Sequence, residues 1–516
     1  MLLFAASLLK CPRRGVFLGY VWGVSMTRQI SATTVLIFAC LFLQSCSGVP
    51  GGGCTANCGG GNASISLVLT ATPPSPSAQL SIQAFTATIA GITLTPATGA
   101  AVNVTLNSSA YIADFNRVTS DSTVLAAQVS VPAGNYTQVM ITFSAPRVTF
   151  CTQANPGVPG CAAGTLQSVT GAAGTATIST SLSIAANQQS GIALNADIGN
   201  ALTLNGQMVT AVNLGAANIF SATPLPPSST LTDLASGELS HVDDVMGLVT
   251  SVSGSTLTIQ TSTRGNITAT ANSSTQFSAD CTLLGFAVDF TCVKANTIAI
   301  VDTLLNADGT LTLVFYQPLP GALFTGDLLE GVVTGVPNSV TGQFAVVVTD
   351  SVFAASGSLL SGQLHLGDQI VVTLNSPNPF QIVSKGLQIP TGSTFQNSTS
   401  VADILPGQTV AVAVSAFTAQ SGTTPGTASS QNLALRFTRF TAVMSTPTSP
   451  QFNATTFPSF FGITTPQLFQ TTSGRLSLDG VSGLTSIPGG GTFSTTALYV
   501  GPPVAPTFSA LSVRAH

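Results

Sequence analysis

QLSIQAFTATIAGITLTP, residues 79–96, carries the pattern from which the fold class follows. Ile82, Ala84, Thr86 and Thr88 fall on one face of an extended chain, and Gln83, Phe85, Ala87 and Ile89 on the other. A repeat of two is the repeat of a strand, and apolar side chains on both faces mark a strand covered on both sides. The same pattern runs through SISLVLTA (64–71), AAVNVTL (100–106), AQVSVPAG (127–134) and YTQVMITFS (136–144). Residues 64–222 are therefore expected to form an N-terminal β-sandwich, ended by the Pro-rich ATPLPPSST near 222–230.

Downstream the chain repeats itself. One copy runs from GLVTSVSGSTLTIQTSTRGNITATAN to NTIAIVDTLLNADGTLTLVFYQ (247–317). A second runs from GVVTGVPNSVTGQFAVVVTDS to NLALRFTRF (331–440), with a long insertion at 351–390. A third, degraded copy is read in GRLSLDGVSG, TTALYVG and FSALSVRAH (474–516). Each copy opens on a Gly-x-Val-like strand and holds about five short strands, the number of a small barrel. The expected fold class is thus all-β, a sandwich followed by two or three small β-barrel-like modules. The modules are set at 237–320, 321–445 and 446–516.

Charged residues make up 6% of the 516 residues, against roughly a quarter in an average soluble protein. Lys occurs at 10, 294 and 385, and Glu at 238 and 330. Hydroxyl and amide side chains take the place of charge, while a hydrophobic fraction of 44% argues against disorder. A net charge of −4 with scattered Arg offers no basic stripe, so nucleic acid is not an expected partner.

From Met26 the sequence reads MTRQISATTVLIFACLFLQSC. Arg28 supplies a positive start, Val35–Leu43 is a short apolar run, and Leu43-Gln44-Ser45-Cys46 follows. This resembles the lipobox of bacterial lipoproteins, although Gln44 departs from the small or β-branched residue usual there. In the signal segment with lipobox, residues 1–46, the resemblance implies cleavage before Cys46, diacylglycerol on its thiol, and membrane attachment through lipid. Nine apolar residues fall short of the roughly 20 needed to span a bilayer. Ser47 in place of Asp implies sorting to the outer membrane in a two-membrane bacterium. Residues 47–63, Gly-rich and holding Cys54 and Cys58, read as a flexible tether. In an exported chain the remaining pairs, Cys151 with Cys161 and Cys281 with Cys292, read as loop-closing disulfides.

Residues 64–220 resemble the bacterial lipoprotein module called domain of unknown function 4382, most specifically in Val131-Pro132-Ala133-Gly134-Asn135-Tyr136-Thr137-Gln138. The resemblance implies a hairpin there, with Pro132 and Gly134 in the turn and Tyr136 packed at the start of the next strand. The later copies resemble domain of unknown function 5666. Neither resemblance brings an activity.

Residues that carry chemistry are scarce. His occurs at 241, 365 and 516, and no Gly-x-Ser-x-Gly elbow places a nucleophile. His365, between Leu364 and Leu366, reads as a strand-face residue. His241, Asp243 and Asp244 form the tightest cluster of metal-ligand types, in what reads as a solvated linker. Asn306–Thr310 fails the calcium-loop pattern and reads as an Asp-Gly hairpin turn. The Phe-rich 452–469 reads as core of the third module, with an exposed adhesive patch as the sharper alternative. No catalytic residue, metal or cofactor is assigned. The expectation is a non-enzymatic, lipid-anchored envelope protein with a structural, adhesive or interaction role and an envelope polymer or protein as partner. The alternatives are an envelope-polymer hydrolase and a carbohydrate- or metal-binding receptor.

Overall fold

A computed structural model describes residues 61–516, apart from 110, 154–157, 162–164, 226–240, 307–309, 320–324, 390, 449, 464–465, 472–476, 480–484, 486 and 502–506. The signal segment, Cys46, the tether with Cys54 and Cys58, and the Asp308-Gly309 turn lie outside the described residues. The described chain is all-β; its two α-helices, α1 (Ile198–Ala201) and α2 (Asp280–Leu283), are single turns.

Among the described residues thirteen strands precede residue 226: β1 (Asn62–Thr72), β2 (Leu80–Pro96), β3 (Val102–Val104), β4 (Tyr111–Asp114), β5 (Thr123–Pro132), β6 (Gly134–Phe143), β7 (Arg147–Thr152), β8 (Leu166–Thr170), β9 (Gly174–Ile184), β10 (Gln189–Asp197), β11 (Leu202–Asn205), β12 (Met208–Val212) and β13 (Phe220–Leu225). A four-stranded sheet, β13-β10-β1-β5, faces a seven-stranded one, β8-β7-β2-β6-β9, in which β3 and β4 also pair with β2. Between them lie Ile65, Leu67 and Leu69 of β1 and Phe85, Ala87, Ile89, Ile92 and Leu94 of β2. The alternation of β2 is reset by a register shift between Ile89 and Gly91, a bulge that keeps Ile92 and Leu94 turned inward.

The Pro-Ala-Gly-x-Tyr segment differs from the expected hairpin. β5 pairs with β1, whereas β6 pairs with β2 and β9, so the chain turns a corner from one sheet to the other. Pro132 has no N–H to continue a ladder, and Gly134 is outside the left-handed region. The hydroxyl of buried Tyr136 donates to the Pro132 carbonyl at 2.6 Å and clamps the corner.

The second half contains one ring of strands three times. In the first ring β14 (His241–Ser253), β15 (Thr256–Gln260) and β16 (Asn266–Phe277) pair antiparallel in turn. β16 then runs parallel to β18 (Leu311–Pro318), and β18 returns through β17 (Thr297–Leu305) to β14. The second ring uses β19 (Leu328–Val333), β20 (Gln343–Val352), β21 (Gln369–Leu374) and β23 (Thr409–Ala413), with β22 (Gln381–Ile382) and β24 (Ala416–Thr418) at its margins. Its fifth strand is split into β25 (Gly426–Ser430), parallel to β21, and β26 (Leu433–Met444), antiparallel to β23. The third ring starts on the far half of β26 and continues through β27 (Gln451–Thr455) and β28 (Gln467–Thr471). β31 (Phe508–Ala515) lies parallel to β28, and β30 (Thr492–Tyr499) closes back on β26, with β29 (Ser477–Asp479) beside β31. The order 1-2-3-5-4 with one parallel pair is that of the five-stranded Greek-key barrel known as the OB-fold.

The opening glycines acquire a physical reason. A Cβ on Gly247 would lie 2.5 Å from the Gln260 carbonyl oxygen, and one on Gly331 2.7 Å from that of Val347. In both rings the first strand presses onto the second at this point, where only glycine fits. The boundary expected between residues 445 and 446 does not separate the modules, because β26 serves two barrels. Each barrel has its own core, and a further apolar cluster joins the first two through Met246, Leu248, Ile298, Ile300, Leu328 and Ala411. Phe452, Phe457, Phe460, Phe461 and Phe469 are buried in the third barrel, around Phe440.

Candidate functional site

The chain has 13 Lys and Arg; Lys10, Arg13, Arg14 and Arg28 precede residue 60, which leaves nine. Among the described residues Arg117, Arg147, Arg264, Lys385, Arg436 and Arg439 are paired with carboxylates. All but Arg147 belong to one buried network where the sandwich meets the three barrels.

Asp244 is its hub. It lies in β14 at a shift of register between Val242 and Val245, with φ at +53°, a conformation that Asp tolerates better than most residues. The bulge turns its carboxylate inward. Oδ1 accepts from Arg436 Nη2 at 2.9 Å and Oδ2 from Arg439 Nη2 at 3.0 Å. The Asp244 N–H donates to Asp302 Oδ1 at 2.7 Å, and its carbonyl accepts from Arg117 Nη2 at 2.6 Å. Around the hub, Arg436 Nε donates to Glu330 at 2.7 Å, Lys385 Nζ to Asp302 at 2.5 Å, and Arg117 and Arg264 share Asp350 at 3.0 and 3.2 Å. Arg514, near the end of β31, donates to the carbonyls of Val118 and Asp121 at 3.0 and 2.7 Å.

Burial raises the cost of ionising Asp244, but Arg436, Lys385, Arg439 and Arg117 outweigh it and hold the carboxyl well below its usual range. Burial likewise disfavours the Lys385 ammonium, and Asp302, Asp244 and Asp243 more than restore it. Ions this deep gain stability only where every partner is in place. The network therefore acts as a geometric lock, which tolerates one arrangement of the four β units and penalises others.

Asp114, beside the network at the end of β4, behaves oppositely. Burial pushes its carboxyl up to about 6, although the N–H groups of Phe85 and Asn116 each donate to Oδ1 at 3.0 Å. The folded chain then holds a proton that the unfolded chain, with a value of about 3.9, releases between pH 4 and 6. Stability contributed by this group is present at low pH and is lost as pH rises across that window, by roughly 1 kcal/mol per pH unit at the steepest. Asp114→Asn is expected to flatten this part of the profile. Denaturant midpoints at pH 4 and 7 measure it; the same difference in both proteins would count against the assignment.

Compared with known families and with curated proteins, the chain matches none.

The positions singled out in the sequence fare differently. Cys151 and Cys161 are at disulfide distance, with Cα atoms 5.6 Å apart, as are Cys281 and Cys292 at 5.7 Å. The first loop also touches both later barrels: Gly160 N–H donates to the Phe460 carbonyl at 2.7 Å and Cys161 N–H to that of Thr334 at 2.5 Å. Replacing Cys151 and Cys161 by Ser should cost about 2–3 kcal/mol by the loop-entropy argument. Thermal unfolding with and without reductant checks this, and an unchanged midpoint would refute it.

His365 is not on a strand. It lies in the loop before β21, its side chain 68% exposed and its Nδ1 3.5 Å from Asp368. His516 Nε2 is 2.9 Å from Ser494 Oγ. The segment read as a solvated linker, His241-Val242-Asp243-Asp244, is the start of β14, and Asp244 is 1% exposed. Its burial follows from the bulge, which no local pattern announces. Among the described residues no group of three His, Cys, Asp or Glu is placed to hold a metal ion. Sequence reading passed over Arg117, Arg264, Glu330, Asp350, Arg436 and Arg439. The available signal was their setting: Glu330 in LLEGVV and the arginines in LALRFTRF interrupt apolar strands, where an ion must find a partner.

Proposed function

We propose that this is an exported, lipid-anchored cell-envelope protein with a non-enzymatic structural, adhesive or interaction role, held through Cys46 at the outer membrane. The observation that supports it is the buried charge network. In a chain so poor in charge, ions that would ordinarily lie on the surface are used to lock four β units into one arrangement. What faces water is then largely hydroxyl and amide, a surface suited to contact with an envelope polymer or another protein rather than to charge-driven binding. The resemblance to lipoprotein modules points the same way.

Fractionation of cells carrying Cys46→Ser tests the anchor. The variant is expected to leave the membrane fraction, since attachment by acyl chains is lost with the thiol. Unchanged membrane retention would overturn the anchored reading.

A further inference from the structure

Where the sandwich meets the second and third barrels there is a cleft that the charge network does not fill. The cleft has a volume of about 80 Å³, room for roughly six waters at about 10–15 Å³ each. Clefts between packed units are common ligand sites. Phe460 and Phe461 form part of an apolar wall; the polar side includes Gln83, Asp114 and Arg439, and Ser75 lies at the exposed rim. Arg439 is nine-tenths buried. Its Nη2 is held by Asp121 and Asp244.

We propose that this cleft binds a single neutral hexopyranose unit of a polysaccharide. A pyranose presents hydroxyls at its edge and C–H groups on its face, and it displaces several waters in one piece. A planar amide, carboxyl and guanidinium beside phenyl rings complement both features. An anion is disfavoured, because the guanidiniums lining the cleft, Arg117 and Arg439, are already matched by Asp121, Asp244 and Asp350. This deepens the interaction role proposed above. Sugar binding is read on the purified chain, so a failed anchor and a failed cleft are distinguishable.

The experiment is saturation-transfer NMR on the purified full-length chain with glucose, galactose, N-acetylglucosamine and, as an anionic control, glucuronate. At least one neutral sugar is expected to bind, with a dissociation constant of about 1 mM, that of a small ligand with few contacts. Ser75→Trp, at the exposed mouth, should abolish the signal without lowering the thermal midpoint. Gln83→Leu should weaken it about fivefold, the loss of one neutral hydrogen bond of about 1 kcal/mol. No transfer from any neutral sugar, binding of glucuronate alone, or a signal indifferent to Ser75→Trp in a folded protein would each overturn the proposal.

Discussion

Asp244→Asn is expected to lower the unfolding free energy by about 3–5 kcal/mol, the range for removing one partner of a buried ion pair. The substitution isolates charge from shape. Asn has the same size and accepts the φ of +53° that the bulge imposes. What remains is Arg436 facing Glu330 alone and Arg439 facing Asp121 at 3.4 Å, both nine-tenths buried or more. A guanidinium cannot escape by losing its proton, so the cost stays in the folded state. The urea midpoint reads the effect, with the slope of the transition unchanged if the unfolded chain is unaffected. Asp244→Asn and Arg439→Gln together should cost less than the sum of the two alone, because one interaction is lost twice. A loss below about 1 kcal/mol for Asp244→Asn would place the lock elsewhere.

A chain ending at Met444, close to the boundary that sequence reading places between the last two modules, is expected to aggregate rather than fold as a shorter protein. β26 pairs with β30 over seven positions, from Phe437 with Leu498 to Val443 with Thr492. Removing β27–β31 leaves that half of β26 as an unpaired edge and uncovers Phe440, whose ring lies 5.0–6.5 Å from those of Phe457, Phe461, Phe469, Phe493 and Phe508. An apolar edge without Lys to block pairing is a template for association. The cut also removes Arg514 from the carbonyls of Val118 and Asp121. Gel filtration and thermal unfolding decide the matter: a monodisperse, cooperatively unfolding chain ending at Met444 would show that the third barrel is a separable domain.

What could be read from the sequence by itself was whatever depends on near neighbours. The alternation in 79–96 makes a strand, because side-chain direction repeats every two residues whatever lies opposite. The Gly-x-Val openings at Gly247 and Gly331 repeat because the same close approach of two strands recurs. Cys151 and Cys161, ten residues apart, can meet through a short loop. Tertiary structure alone decided the rest. Alternation is the same for a strand serving one barrel or two, so β26 gives no sign of its double role. Pro132 to Tyr136 reads alike as a hairpin or a corner until the partner strands are known. Asp244 looks like a solvated aspartate until Arg436 and Arg439, some two hundred residues away, arrive beside it. Pairing and burial are relations between distant segments, and the free energy of a charge depends on which of them surround it.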